Sequence, residues 1–183
     1  MLTRDPHEGL GRDALQRLDA RAQELARQGA NEEASQARQE RERTTYVIFR
    51  YLDEQYGLPV KRVEEVVPLA SVVPIPGAPG HLVGLTRLRG RILAIVNLRS
   101  FFRRTLHGFA DSDLAVVTEL EGRSFAIVCT AVEAMRSLSP RDIGSVPDGL
   151  PEVARRVSAG FLDGGTMLLD PKALIAEPGF VVR

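Results

Sequence analysis

The stretch from Val83 to Arg99, VGLTRLRGRILAIVNLR, constrains the fold of this chain more than any other, because two apolar runs meet there across a single Arg-Gly step. That pattern predicts a β-hairpin, with Gly90 supplying the positive φ of a tight turn. Ile92, Leu93, Ile95 and Val96 run too continuously for a strand with one wet face, so the second strand is expected to be covered on both sides. Arg87, Arg89 and Arg91 bracket the turn, and a guanidinium is seldom fully buried without a partner. This end of the hairpin is therefore expected in solvent or against something acidic.

The chain changes character near residue 44. Residues 1–43 hold no aromatic and no β-branched apolar residue, and Ala, Arg, Gln and Glu dominate, a helical composition. Asp13 with Gln16 has the form of a capping box, Leu15, Leu18, Ala22 and Leu25 fall on one narrow face, and Asn31 is a second candidate N-cap. We read this segment as a solvated helical extension, with a dedicated partner-binding helix as the alternative. From Tyr46 onward short apolar runs alternate with turn residues: Asp53-Glu54, Glu121-Gly122 and Asp163-Gly164-Gly165 mark hairpins, and Asp170 precedes a short helix from Pro171 to about Glu177. About ten strands result, in two sets of five separated near residue 110. Two small closed barrels suit that count better than one open sheet, since closure removes exposed edges.

Catalysis finds little support. His7, His81 and His107 are scattered, and none pairs with a carboxylate or cysteine at metal-ligand spacing. Glu64 and Glu65 would point to opposite sides of a strand, which argues against a shared-carboxylate site. The loop Pro74 to Gly80 has recurrent glycines, yet Pro76 and Pro79 remove donors that a phosphate would need. No metal, cofactor or catalytic residue is assigned. The lone Cys129 sits in an apolar run and reads as a buried hydrophobe. Lys+Arg and Asp+Glu both number 24, so no global field favours nucleic acid. An arginine strip of Arg87, Arg89, Arg91, Arg99, Arg103 and Arg104 keeps a small nucleic-acid-binding barrel as an alternative, with Phe101 and Phe102 as its only nearby aromatics. Without a membrane-length apolar run or a signal-peptide core, a cytoplasmic protein with no membrane insertion is expected.

Gly84, then Leu88-Arg89-Gly90, then Leu98-Arg99 stand at the spacings of a hairpin pattern close to G-x-x-N-L-R-G followed by an apolar strand ending in D-L-R. In this the chain resembles the CheW-like coupling proteins of bacterial chemotaxis. The resemblance covers about residues 44–178, including Phe49 through Tyr56-Gly57, Leu138-Ser139-Pro140 and Met167-Leu168-Leu169-Asp170. It implies a mainly β fold of two packed five-stranded, SH3-like barrels, the first taken as about 44–110 and the second as about 111–170, followed by the helix 171–177. It also implies a non-enzymatic adaptor that couples the cytoplasmic tips of chemoreceptors to the histidine kinase CheA through the regulatory domain of the kinase, with a receptor helix held in an apolar groove between the barrels. Arg89 is the leading partner contact, with Leu88, Gly90, Arg87 and Arg99 beside it in the motif, and Val63 and Glu65 match a family surface strand used in partner contacts. Arg87 and Asn97 depart from the usual Asn and Asp, and Thr130 from a frequent Asp. The first two departures motivate an alternative: a divergent scaffold whose kinase pairing is weakened or re-targeted, and whose N-terminal helix recruits another client.

Overall fold

In the computed structural model the chain divides into two units, residues 1–43 and 44–183. Residues 17, 21, 23–28, 35, 42–69, 71–103 and 114–180 are described. In the first unit residues 17, 21, 23–28 and 35 are helical and exposed. Leu25 of the leucine stripe is exposed. Asp13, Leu15, Gln16, Leu18, Ala22 and Asn31 lie outside the described residues, as does the junction at 111–113.

The second unit is mainly β, and its described residues form ten strands. They are β1 (Thr44–Tyr51), β2 (Glu54–Pro59), β3 (Val63–Pro68), β4 (Leu82–Leu88), β5 (Arg91–Val96), β6 (Leu114–Leu120), β7 (Arg123–Cys129), β8 (Ala131–Leu138), β9 (Ser158–Phe161) and β10 (Met167–Leu169). Three short helices accompany them, α1 (Leu98–Arg103), α2 (Glu152–Arg156) and α3 (Pro171–Ala176). The hairpins read from turn residues are present, the first with its turn at Leu52-Asp53 and not at Asp53-Glu54, because Glu54 already opens β2: Leu52-Asp53, Arg89-Gly90 and Glu121-Gly122 each form a two-residue link between opposed strand ends. Positive φ at both Arg89 and Gly90, and at both Glu121 and Gly122, is the requirement of a turn whose twist matches the flanking strands.

The strands make two five-stranded sheets, ordered β8-β1-β2-β10-β9 and β3-β6-β7-β5-β4. The hydrogen bonding therefore does not divide the chain into barrels at 44–110 and 111–170. Each half donates its first hairpin to the sheet of the other half: β1–β2 joins β8, β9 and β10, and β6–β7 joins β3, β4 and β5. The deciding pairs, parallel β2–β10 and β5–β7, join strands far apart in sequence, and no local turn signal announces such pairs.

The halves repeat strand by strand. Val63 pairs with Thr118 and Glu65 with Val117, so Glu64 is an extra, bulged residue. Val132 pairs with Phe49 and Ala134 with Ile48, which leaves Glu133 as the corresponding bulge. Each sheet is closed by residues that follow its edge strand. Beyond β3, Val73 exchanges two backbone hydrogen bonds with Leu85 of β4, at 2.7 and 2.9 Å. Beyond β8, Gly144 does the same with Phe161 of β9, at 2.7 and 3.1 Å.

Both faces of the central strands are buried. Tyr46 and Ile48 pack with Leu138, Leu162 and Leu168 in one small core. Phe49, Tyr56 and Leu58 join the larger core, which includes Leu93, Ile95, Val116, Phe125 and Ile127 of the other sheet. This double burial is why β1 and β7 read as continuous apolar runs and not as alternating ones.

Candidate partner-binding site

The turn of the β4–β5 hairpin places Arg87, Leu88, Arg89, Gly90 and Arg91 together at one end of the second sheet. Leu88 is half-buried and packs against the main core, which anchors the tip. Arg89 stands outward with its side chain 75% exposed and donates to Glu65 Oε2 on β3 at 2.9 Å. Arg91 donates to both oxygens of Glu64, at 3.2 and 2.6 Å, and to Ser124 Oγ at 3.2 Å. The hydrogen bond from Arg91 holds the Glu64 carboxyl below its ordinary value and raises the guanidinium in turn. These two ion pairs tie the hairpin tip to β3, the opposite edge strand of the same sheet.

Here the sequence reading of Glu64 and Glu65 is corrected. The bulge at Glu64 breaks the alternation of the strand, so consecutive glutamates both reach the hairpin. Arg89 takes φ 50°, an uncommon conformation for a residue with a Cβ. Glu121 takes φ 53° at the β6–β7 turn, so this strain belongs to the two-residue turn and does not by itself mark a site.

The other expected residues divide. Glu65 joins Arg89, and Val63 lies on the same strand but is half-buried against the core. Arg99 is elsewhere: on α1, it pairs with Asp53 in the β1–β2 turn. The hydrogen bond from Arg99 holds the Asp53 carboxyl below its usual value. Close by, Arg103 pairs with Glu54 at 2.6 Å, and the Tyr56 hydroxyl donates to Glu54 at 2.5 Å. Burial is the main reason the Tyr56 phenol is pushed far up, with the Glu54 hydrogen bond second, so it holds its proton and serves as no base. Asn97 is fully buried, and its side-chain oxygen accepts the Ser100 backbone N–H at 3.1 Å. A buried cap offers no charge to a partner, so the substitution of amide for carboxylate at 97 is not a surface change, contrary to the sequence expectation.

Sequence reasoning missed two features. Ile92, expected to be covered, is 71% exposed, because β5 turns one face outward near the tip even though Leu93, Ile95 and Val96 are buried. Met135 on β8 is also exposed, together with Val132, on an edge strand where every residue from 132 to 137 is accessible. Equivalence under the internal repeat is the signal that would have found Val132 and Met135, which correspond to Val63 and Val66.

Four of the five described arginines of the strip are neutralised, Arg87 being the exception and Arg104 lying outside the described residues. Arg89, Arg91, Arg99 and Arg103 each pair with a carboxylate, and Phe101 and Phe102 are buried and offer no stacking platform. Among the described residues there is no His/Cys/Asp/Glu group able to hold a metal ion and no helix long and apolar enough to cross a membrane.

Two interleaved barrels with an outward, ion-paired hairpin tip and exposed apolar residues on an edge strand define a protein that acts through surface contact. The chain belongs to the CheW-like domain family, whose model matches residues 45–178. It is 28% identical over 127 residues to the chemotaxis protein CheW of Treponema pallidum, covering 67% of this chain and 75% of that one. It is also 28% identical over 116 residues to CheW of Klebsiella aerogenes, covering 63% and 70%. The crystal structure of the scaffolding protein TtCheW from Thermoanaerobacter tengcongensis shares the fold, with a TM-score of 0.60 at 22% identity over 70% of this chain and 85% of that one. The protein is thus a non-enzymatic adaptor or scaffold of the chemotaxis type.

Proposed function

We propose that this adaptor works in the cytoplasm, coupling chemoreceptors to the histidine kinase CheA within a signalling array. The observation that carries the reading is Arg89, exposed at a tight turn and braced by Glu65. A braced guanidinium loses little freedom when a partner docks, and arginine can bind a carboxylate through two parallel hydrogen bonds. The hairpin is the contact for the CheA regulatory domain. Val132 and Met135, exposed apolar residues on β8, receive the apolar face of a receptor helix.

Titration calorimetry with the cognate CheA regulatory domain tests this. Arg89→Ala is expected to weaken association at least tenfold, about 1.4 kcal/mol, as for a moderate interface anchor. Its melting curve is expected to shift by no more than about half a kcal/mol, since an exposed ion pair contributes little to folding. Arg155→Ala, exposed on α2 and outside both sheets, changes neither quantity. Unchanged binding for Arg89→Ala would remove that residue from the interface.

A further inference from the structure

The Arg89 hairpin carries a cation that the glutamates of β3 leave uncompensated. Arg89 and Arg91 each have a carboxylate from that strand. Arg87, next in from the turn along β4, is exposed and has no carboxylate partner among the described residues. Directly across the ladder from Arg87 stands Ile92, the exposed isoleucine of β5. Opposed side chains on antiparallel strands share a face, with Cβ atoms about 5 Å apart. The neighbouring pair Thr86 and Leu93 shows the other face of the hairpin, where Leu93 is buried. The outer face therefore presents one unpaired guanidinium beside one bare branched aliphatic side chain.

We propose that Arg87 and Ile92 form a specificity-determining contact, selecting a protein surface that presents a carboxylate next to an apolar side chain. The inference rests on the reading of this hairpin as the CheA-binding element and names the chemistry that the bound surface must offer. A single exposed isoleucine is ordinary on a protein surface, so the argument turns on charge. Docking an apolar surface on Ile92 strips water from the neighbouring guanidinium, and only a facing carboxylate offsets that loss. A surface with a lysine or a bare apolar patch at that point is rejected, which gives discrimination by repulsion as well as attraction.

The test is calorimetry of the full chain against the cognate CheA regulatory domain at about 50 mM and about 500 mM salt, conditions that change charge screening severalfold. Arg87→Gln is expected to weaken binding roughly fivefold at low salt, and Arg87→Glu more than tenfold, with both losses shrinking at high salt. Ile92→Ser is expected to weaken binding severalfold at both salt concentrations, because burial of apolar area is not screened. Recovery of Arg87→Glu by salt is a readout that a folding defect would not produce. Arg87 variants within twofold of the unsubstituted chain, while Arg89→Ala still weakens binding, overturn the specificity contact and leave the hairpin reading standing. If Arg89→Ala is also without effect, or the unsubstituted chain does not bind, both fall.

Discussion

Asn97 and Asp170 hold equivalent places in the two halves, each directly after a parallel-paired strand and directly before a short helix. Asp170 accepts the Lys172 and Ala173 backbone N–H groups at 2.9 and 3.3 Å and remains partly accessible, so its charge stays hydrated. Asn97 does the same work from a fully buried position, where an amide avoids the desolvation that a carboxylate would meet. Its Nδ2 has no partner, so the cap is retained with one donor unused. Asn97→Ala is expected to cost about 1 kcal/mol of stability, the usual loss for a helix cap, and to leave affinity for the CheA regulatory domain unchanged. Paired denaturant melts and calorimetry check this. A large affinity loss with an intact melt would put Asn97 at an interface. The motif made Asn97 visible in the sequence as a departure from a family pattern. Its role was not visible, because a residue that caps from the core and one that faces a partner look alike without burial.

At the scale of the element, the informative parts are the two seams that turn sheets into barrels. Gly84 stands one residue before Leu85, and Gly160 one residue before Phe161, the residues that make the closing bridges. A Cβ on Gly84 would lie 2.4 Å from the Val73 carbonyl oxygen. One on Gly160 would lie 2.8 Å from the Gly144 oxygen and 2.3 Å from the Ile143 side chain. Both glycines also have positive φ, at 155° and 140°. Backbone must approach backbone at a closing seam, and a side chain on the inner edge forbids it. Gly84→Ala and Gly160→Ala are each expected to destabilise by about 1–3 kcal/mol through overpacking. Gly149→Ala, with no atom near the added methyl and no positive φ, is expected to be neutral or slightly stabilising. Chemical denaturation of the three variants decides it: equal small effects would show that the seams yield. The hairpins themselves were legible, since two-residue turns between apolar runs are local signals. The seams were not, because a glycine needed for close approach cannot be told from a glycine needed for a turn until its neighbour across the sheet is known.

For the whole molecule, the count of ten strands and the split into two sets of five describe a repeat, and the error lay in equating each repeat with a barrel. Phe49, Tyr56 and Leu58 come from the first half, yet β1 and β2 hydrogen-bond to β8 and β10 of the second. Neither half can close its own sheet: the first holds three strands of one barrel and two of the other, and the second holds the complement. Cutting the chain between residues 104 and 113 breaks none of the described strands but leaves both fragments with unpaired edges and exposed core faces. Residues 44–110 alone, and 111–183 alone, are therefore expected to lack a cooperative unfolding transition. Mixed in equal amounts, they are expected to recover one transition, because the exchanged hairpins supply the missing edges and both cores form together. Thermal melts followed by circular dichroism, with amide exchange at Val47 and Val116 as a second probe, give the answer. A cooperative melt of residues 44–110 in isolation would mean that β1–β2 can pair within its own half, and the exchange would then be one arrangement of two. Its absence, with recovery on mixing, ties the hairpin that presents Arg89 to strands from both ends of the domain. A change at the Gly144–Phe161 seam, which lies in the other sheet from the tip, would then act on partner binding only through the folding of the whole.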